Sequence, residues 1–95
     1  MFKTKNAAQR AYAIVTEIVN EWDPYGLLAM GAPPDEFGPE IADVVARLPE
    51  VTSATEGARV LSEVFGRWFH PEDFPIEGCT EPGYALYLAL QAQEW

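Results

Sequence analysis

Carboxylates are the reactive groups this chain supplies most freely, and one short stretch gathers four of them: Asp35, Glu36, Glu40 and Asp43. Glu36, Glu40 and Asp43 repeat at i, i+4 and i+7, so a helix that starts early enough to include Glu36 aligns three carboxylates on one face. Like charges aligned in this way cost a few tenths of a kcal/mol each, roughly. A basic partner surface offsets that cost, which makes the stripe a candidate binding face. Helix-start chemistry explains the same residues without a partner, because acids at a helix N-terminus are favoured by the macrodipole. Asp23, in Glu21-Trp22-Asp23-Pro24-Tyr25-Gly26, is the fifth candidate. It either accepts N–H groups of the following turn, as Asp does in Asx turns, or presents its carboxylate to a partner. The expected partner-binding set is therefore Asp23, Asp35, Glu36, Glu40 and Asp43.

Other chemistry has less to stand on. His70, Glu72, Asp73 and Cys79 are the only cluster with metal-ligand side chains. Zinc sites normally repeat close ligand pairs such as CxxC or HxxxH, and neither occurs, so no metal and no cofactor is expected. His70 before Pro71 reads instead as the close of a helix, where a cation is favourable. There is no GxSxG, no phosphate loop and no CxxC. Ser53 and Ser62 have no obvious base beside them in sequence, and no carboxylate pair stands out from 15 acids. No catalytic residue is expected, and the chain reads as a binding protein rather than an enzyme.

Charge narrows the partner. Fifteen acids against six bases give −9. Lys3, Lys5 and Arg10 lie in the first ten residues, so the remainder holds all 15 acids with three bases, or −12. Such a surface repels phosphates, which argues against nucleic acid, and steers basic proteins toward itself. Acidity that serves only solubility is the plainer reading. No apolar run approaches the roughly 18 residues of a membrane span, and no secretory signal follows Met1-Phe2-Lys3-Thr4-Lys5. A lone cysteine, Cys79, forms no internal disulfide and suits a cytoplasmic protein.

The elements that must position these residues follow from apolar spacing. A chain of 95 residues, 48% apolar, predicts one helical domain over 1–95. The first helix runs from Thr4, its cap, to Trp22. Ala8, Ala11, Tyr12, Val15, Ile18, Val19 and Trp22 form its apolar face, Trp22 reaches the core, and Pro24 ends it. Residues 23–38 make a loop that contains Tyr25, Leu27, Leu28 and Met30. Four large apolar side chains predict that it folds back over the core, with one helical turn near Leu27 to Met30. The second helix starts near Gly38 with Pro39 in its first turn, buries Ile41, Val44, Val45 and Leu48, and stops at Pro49. The third opens with the capping box Ser53-x-x-Glu56 and buries Ala54, Ala58, Leu61, Val64, Phe65 and Trp68. Residues 70–75 connect, through one tight turn, to a fourth helix after Thr80 that is apolar almost all round from Tyr84 to Leu90. Such a helix is central in a bundle or half-buried in an oligomer. Phe69, Phe74, Tyr84, Tyr87 and Trp95 exceed what the C-terminal core needs, unless they pack on Leu27, Leu28 and Met30. The fold class is all-α: a compact bundle of about four helices with an apolar-lined loop between the first two.

Three segments carry a resemblance. Glu21-Trp22-Asp23-Pro24-Tyr25-Gly26, then Asp35-Glu36-Phe37-x-x-Glu40-Ile41, then Ala58-x-x-Leu61-x-x-Val64-Phe65 resemble, in order and spacing, a family of small all-helical bacterial domains of unknown function typified by Bacillus YugE. The resemblance covers roughly residues 10 to 70. It implies a helical fold and a bacterial source, and it carries over no catalytic residue. Charge and size then point to a non-catalytic protein-binding domain, in its sharpest form an immunity or antitoxin-type inhibitor of a basic partner. The alternative is a housekeeping helical domain, a homodimer, whose acidity serves solubility.

Overall fold

Thr4 opens the first helix as expected: its hydroxyl accepts the Ala7 N–H at 3.1 Å, satisfying one free donor of the first turn. The structure is a computed structural model that describes residues 4–93; Lys3 and Trp95 of the expectations above lie outside the described residues. Helix α1 spans Lys5–Trp22 and buries Ala7, Ala11, Val15 and Val19, one every fourth residue. That stripe is rotated from the expected one. Ala8 is half-buried, and Tyr12 is exposed and donates its hydroxyl to the Gly38 carbonyl at 3.3 Å. A wide apolar face offers several rotations, and packing against the second helix selects one of them.

The chain leaves α1 through Asp23, whose backbone is left-handed (φ 49°) and whose N–H bonds to Val19 O at 2.8 Å. The helical turn expected near Leu27 lies earlier, as a 3₁₀ turn over Pro24–Gly26, followed by hydrogen-bonded turns at 27–31. Leu27 and Leu28 pack on the core. Met30 does not: it is 74% exposed, because a single turn has one inward side and the two leucines occupy it.

Helix α2 spans Gly38–Ala46, with Pro39 in its first turn. It stops short of the expected Leu48. Leu48 is buried by a separate 3₁₀ turn, Leu48–Glu50, which the ring of Pro49 permits where it would break an α-helix. Helix α3, Ala54–Trp68, starts with the Ser53 hydroxyl accepting the Glu56 N–H at 3.1 Å. Half of the capping box is thus present, while the Glu56 carboxylate accepts from Arg59. Trp68, expected inside, is about half exposed and donates from Nε1 to Asp43 at 2.7 Å. It closes α3, and the last residue of a helix turns past the core that its earlier turns face.

Two 3₁₀ turns, Pro71–Asp73 and Ile76–Cys79, return the chain and drop Phe74 and Cys79 into the core. Burial pushes the Cys79 thiol up to about 11, so it packs as a small apolar group. Helix α4, Thr80–Gln91, buries Pro82, Gly83, Leu86 and Leu90 but leaves Tyr84 and Leu88 exposed one turn apart. It packs most extensively on α3. The two helices touch backbone to backbone: a Cβ on Gly83 would lie 2.4 Å from Ala58 N, and one on Gly57 would lie 2.5 Å from Gly83 O.

The result is an all-α bundle, without a strand among the described residues. Phe65 is its hub, within 6.2 Å centroid to centroid of Trp22, Phe37, Phe69 and Phe74. Phe69 and Phe74, apparent surplus in the sequence, belong to this cluster. No helix among the described residues is long and apolar enough to cross a membrane.

Candidate functional site

Five acids were expected to bind a partner, and the structure places them in four different settings. Asp23 commits its carboxylate to the loop: Oδ1 accepts the Leu28 N–H at 2.8 Å and Oδ2 the Ala29 N–H at 3.0 Å. The reach is five and six residues, longer than an Asx turn, so this one side chain clamps the whole helix exit. Asp35 and Glu36 are exposed in the turn before α2, where Gly38 N–H bonds to Asp35 O. Glu40 is in the first turn of α2 but points inward; it is 7% exposed, and its buried Oε2 has no hydrogen-bond partner among the described residues. Asp43 is exposed and holds the Trp68 indole.

The i, i+4, i+7 stripe therefore does not form. It required a helix that includes Glu36, and α2 begins at Gly38. With that start, Glu40 shares the inward side with Ile41 and Val44, and the helix N-terminus provides the favourable field that a buried carboxylate there needs.

Two arginines form ion pairs with acids at the α2–α3 edge. Arg47 pairs with Glu50 at 2.8 Å and Glu63 at 2.6 Å, and Arg59 bridges Glu56 and Glu63. Hydrogen bonding to Arg47 holds the Glu50 and Glu63 carboxyls below their ordinary value. A lowered native value means that this stabilisation is present above the unfolded value, about 4.3, and is lost as pH falls through the native one. These pairs are solvent-exposed and each is worth little alone. Glu17, Glu21, Glu72, Glu77 and Glu81 are exposed and make no ion pair among the described residues.

Two of these free acids flank a groove of about 310 Å³ between α1 and the start of α4. Ile18, Glu21 and Trp22 form one wall, and Gly78, Glu81, Pro82 and Ala85 the other. Trp22 joins the groove to the core, since its ring meets Phe65 edge to face at 5.0 Å and Phe74 at 5.8 Å. Trp22 reaches the core as expected but is only half-buried, with one part of its surface in the groove. Being the last residue of α1, it has core on one side and no following turn on the other. Glu21 and Glu81 were not singled out from the sequence. The signal was there in the like-charge repeats Glu17/Glu21 and Glu77/Glu81, each four residues apart.

Tyr25 ties the exit of α1 to the aromatic cluster. Its backbone is left-handed (φ 63°), a conformation that costs a bulky residue about 1–3 kcal/mol and persists only when surroundings enforce it. Here the rings of Phe69 and Phe74, both at 5.4 Å, and a 2.7 Å hydrogen bond from its hydroxyl to Asp73 do so. Desolvation against those rings, then the Asp73 hydrogen bond and the charges of Asp73 and Glu72, push the phenol up to about 12. A raised native value means that the contact stabilises fully below the ordinary tyrosine value, about 10, and is lost as pH climbs through about 12. In an ultraviolet titration, one of the four tyrosines should ionise late, and Asp73→Ala should return it toward the others. Four tyrosines ionising together in the parent protein would contradict the contact.

Among the described residues no group of three or more His, Cys, Asp or Glu side chains is placed to hold a metal ion. Comparison with known proteins yields one match: a family model described as Domain of unknown function (DUF1871) aligns with residues 14–93, which include the Asp23 clamp, both walls of the groove and the α3–α4 crossing. No curated protein and no solved structure matches the chain.

Proposed function

The chain belongs to the DUF1871 family of domains of unknown function, and from that premise we propose that it is a non-catalytic protein-binding domain whose partner is basic. The observation that carries this reading is the acidic lining of the α1–α4 groove. Arg47 and Arg59 pair with Glu50, Glu56 and Glu63, whereas Glu21 and Glu81, on the two walls of the groove, make no ion pair among the described residues. Glu17 and Glu21, four residues apart on α1, repel one another, and a basic surface removes that cost on binding. The same field disfavours nucleic acid.

The serines and the cysteine serve the fold. Ser53 caps α3, Ser62 donates to the Phe74 carbonyl, and Cys79 is buried with its thiol pushed up to about 11. In its sharpest form the proposal is an immunity or antitoxin-type protein acting in the cytoplasm, which masks catalytic Lys or Arg residues of a basic enzyme. The Glu21–Gly26 segment, the part most like the Bacillus YugE-type domains, is in this reading a folding device, since Asp23 and Tyr25 both bond within the chain. A second reading is a homodimer through α4, favoured by the exposed Tyr84 and Leu88.

The test is affinity capture from the source cell, followed by association kinetics of the captured protein. The partner should be basic. Association should slow steeply toward about 1 M salt, where the Debye length falls to about 3 Å. Glu17, Glu21, Glu77 and Glu81 changed together to Gln should slow it at low salt, whereas Glu36→Gln with Asp43→Asn should leave it nearly unchanged. A partner whose association ignores both salt and these acids removes the proposal. A concentration-dependent dimer in sedimentation, abolished by Leu88→Glu, establishes the second reading instead.

A further inference from the structure

We propose that the α1–α4 groove is a socket for one arginine side chain of the partner. The inference rests on the basic-partner reading above and says where, and through which chemistry, that partner is held.

Size comes first. At about 310 Å³ the groove is at the lower end of ligand clefts, which run from about 300 to 1,000 Å³. It accommodates one long side chain rather than a nucleotide or a flat cofactor. Lining comes second. Ile18, Pro82 and Ala85 offer aliphatic surface for a methylene stem, and Trp22 offers an indole, the best side-chain partner for a cation. Glu21 and Glu81 stand on opposite walls, so a cation between them is neutralised from both sides.

Charge then excludes the other occupants. Among the described residues no base lines the groove, so an anion meets repulsion from Glu21 and Glu81. A purely apolar side chain would desolvate two carboxylates without pairing them, which is costly. Between the two cationic side chains, geometry favours arginine. A planar guanidinium can hydrogen-bond two carboxylates in different directions while it stacks on an indole, and it is more weakly hydrated than an ammonium. Neither Glu21 nor Glu81 has a competing ion pair among the described residues, so both are available.

The test is a nuclear magnetic resonance titration of the whole chain at low ionic strength with three capped peptides of one sequence. They carry arginine, lysine, or citrulline, the neutral shape-mimic of arginine. The Trp22 indole N–H, assigned through Trp22→Phe, and the amides of Ile18, Gly78 and Ala85 are the reporters. The arginine peptide should shift these reporters saturably, the lysine peptide should bind several-fold more weakly, and citrulline should not bind. Glu21→Gln with Glu81→Gln should weaken the arginine peptide by about tenfold. Both positions are exposed, and an otherwise unchanged spectrum will show that the variant is folded. Citrulline binding as well as arginine, or equal binding of arginine and lysine, overturns the socket. Basic peptides that bind elsewhere, with shifts indifferent to Glu21 and Glu81, also overturn it but leave the basic-partner reading standing. Failure of every basic peptide to bind at low salt removes both.

Discussion

Gly83→Ala should cost about 3 kcal/mol or more, at the upper end of what overpacking does to a core. The reason is the kind of atom that the new methyl meets. It would lie 2.4 Å from Ala58 N, 2.6 Å from Ala58 Cα and 2.9 Å from Ala58 Cβ. Flexible side chains can yield to such a contact, but a helix backbone can yield only by moving as a unit. Helices α3 and α4 would have to separate along their whole crossing, loosening Leu61, Phe65 and Leu86, each now wholly buried. Small domains have only about 5–15 kcal/mol in total, so the loss is a large share. Chemical denaturation measures it, and Gly78→Ala is the internal control. The nearest atom to a Cβ at Gly78 is Pro75 Cγ at 3.7 Å, an ordinary contact with a side chain. If Gly83→Ala and Gly78→Ala prove equally stable, the close crossing is wrong.

Phe37→Ala should be comparably severe, about 3–5 kcal/mol, the range for deleting a large buried aromatic. Phe37 is fully buried, with its ring 6.0 Å from that of Phe65. Truncation leaves a void beside the hub of the core, at the point where the long loop joins α2. Met30→Ala, in the same loop, should change stability by no more than about 0.5 kcal/mol, because Met30 is 74% exposed. The pair separates loop residues that hold the fold from those that merely ride on it. A loss under about 1 kcal/mol for Phe37→Ala would show that the loop is not anchored through this ring.

The helices were legible because their signals are local. Thr4 and Ser53 cap α1 and α3 through bonds to residues three positions on, and Pro24 and Pro49 end their segments through the geometry of their own rings. The spacing of Ala11, Val15, Val19, Ile41, Val44, Leu48, Ala58, Leu61, Val64 and Phe65 named more than half of the buried apolar residues for the same reason: a 3.6-residue repeat needs no knowledge of what it packs against. All-α architecture, a strongly acidic surface and a loop that partly covers the core were therefore determined by the sequence itself.

Rotation about each helix axis was not. Ala7 rather than Ala8 is buried, Glu40 points in, and Trp68 points out to Asp43, because the choice among faces is made by neighbours distant in sequence. The acidic stripe fails on a still smaller matter, the start of α2 at Gly38, two residues too late to include Glu36. The groove is the most tertiary feature of all. Ile18, Glu21 and Trp22 come from the end of α1, and Glu81, Pro82 and Ala85 come from the start of α4, with two helices between them. The backbone contact of Gly57 with Gly83 sets how closely α4 approaches α3, and packing of α4 beside α1 brings the two carboxylates to one indole-lined cleft. A sequence states which residues carry charge. The direction in which each charge points, and which other charge it faces, is decided by packing between surfaces that no local repeat describes.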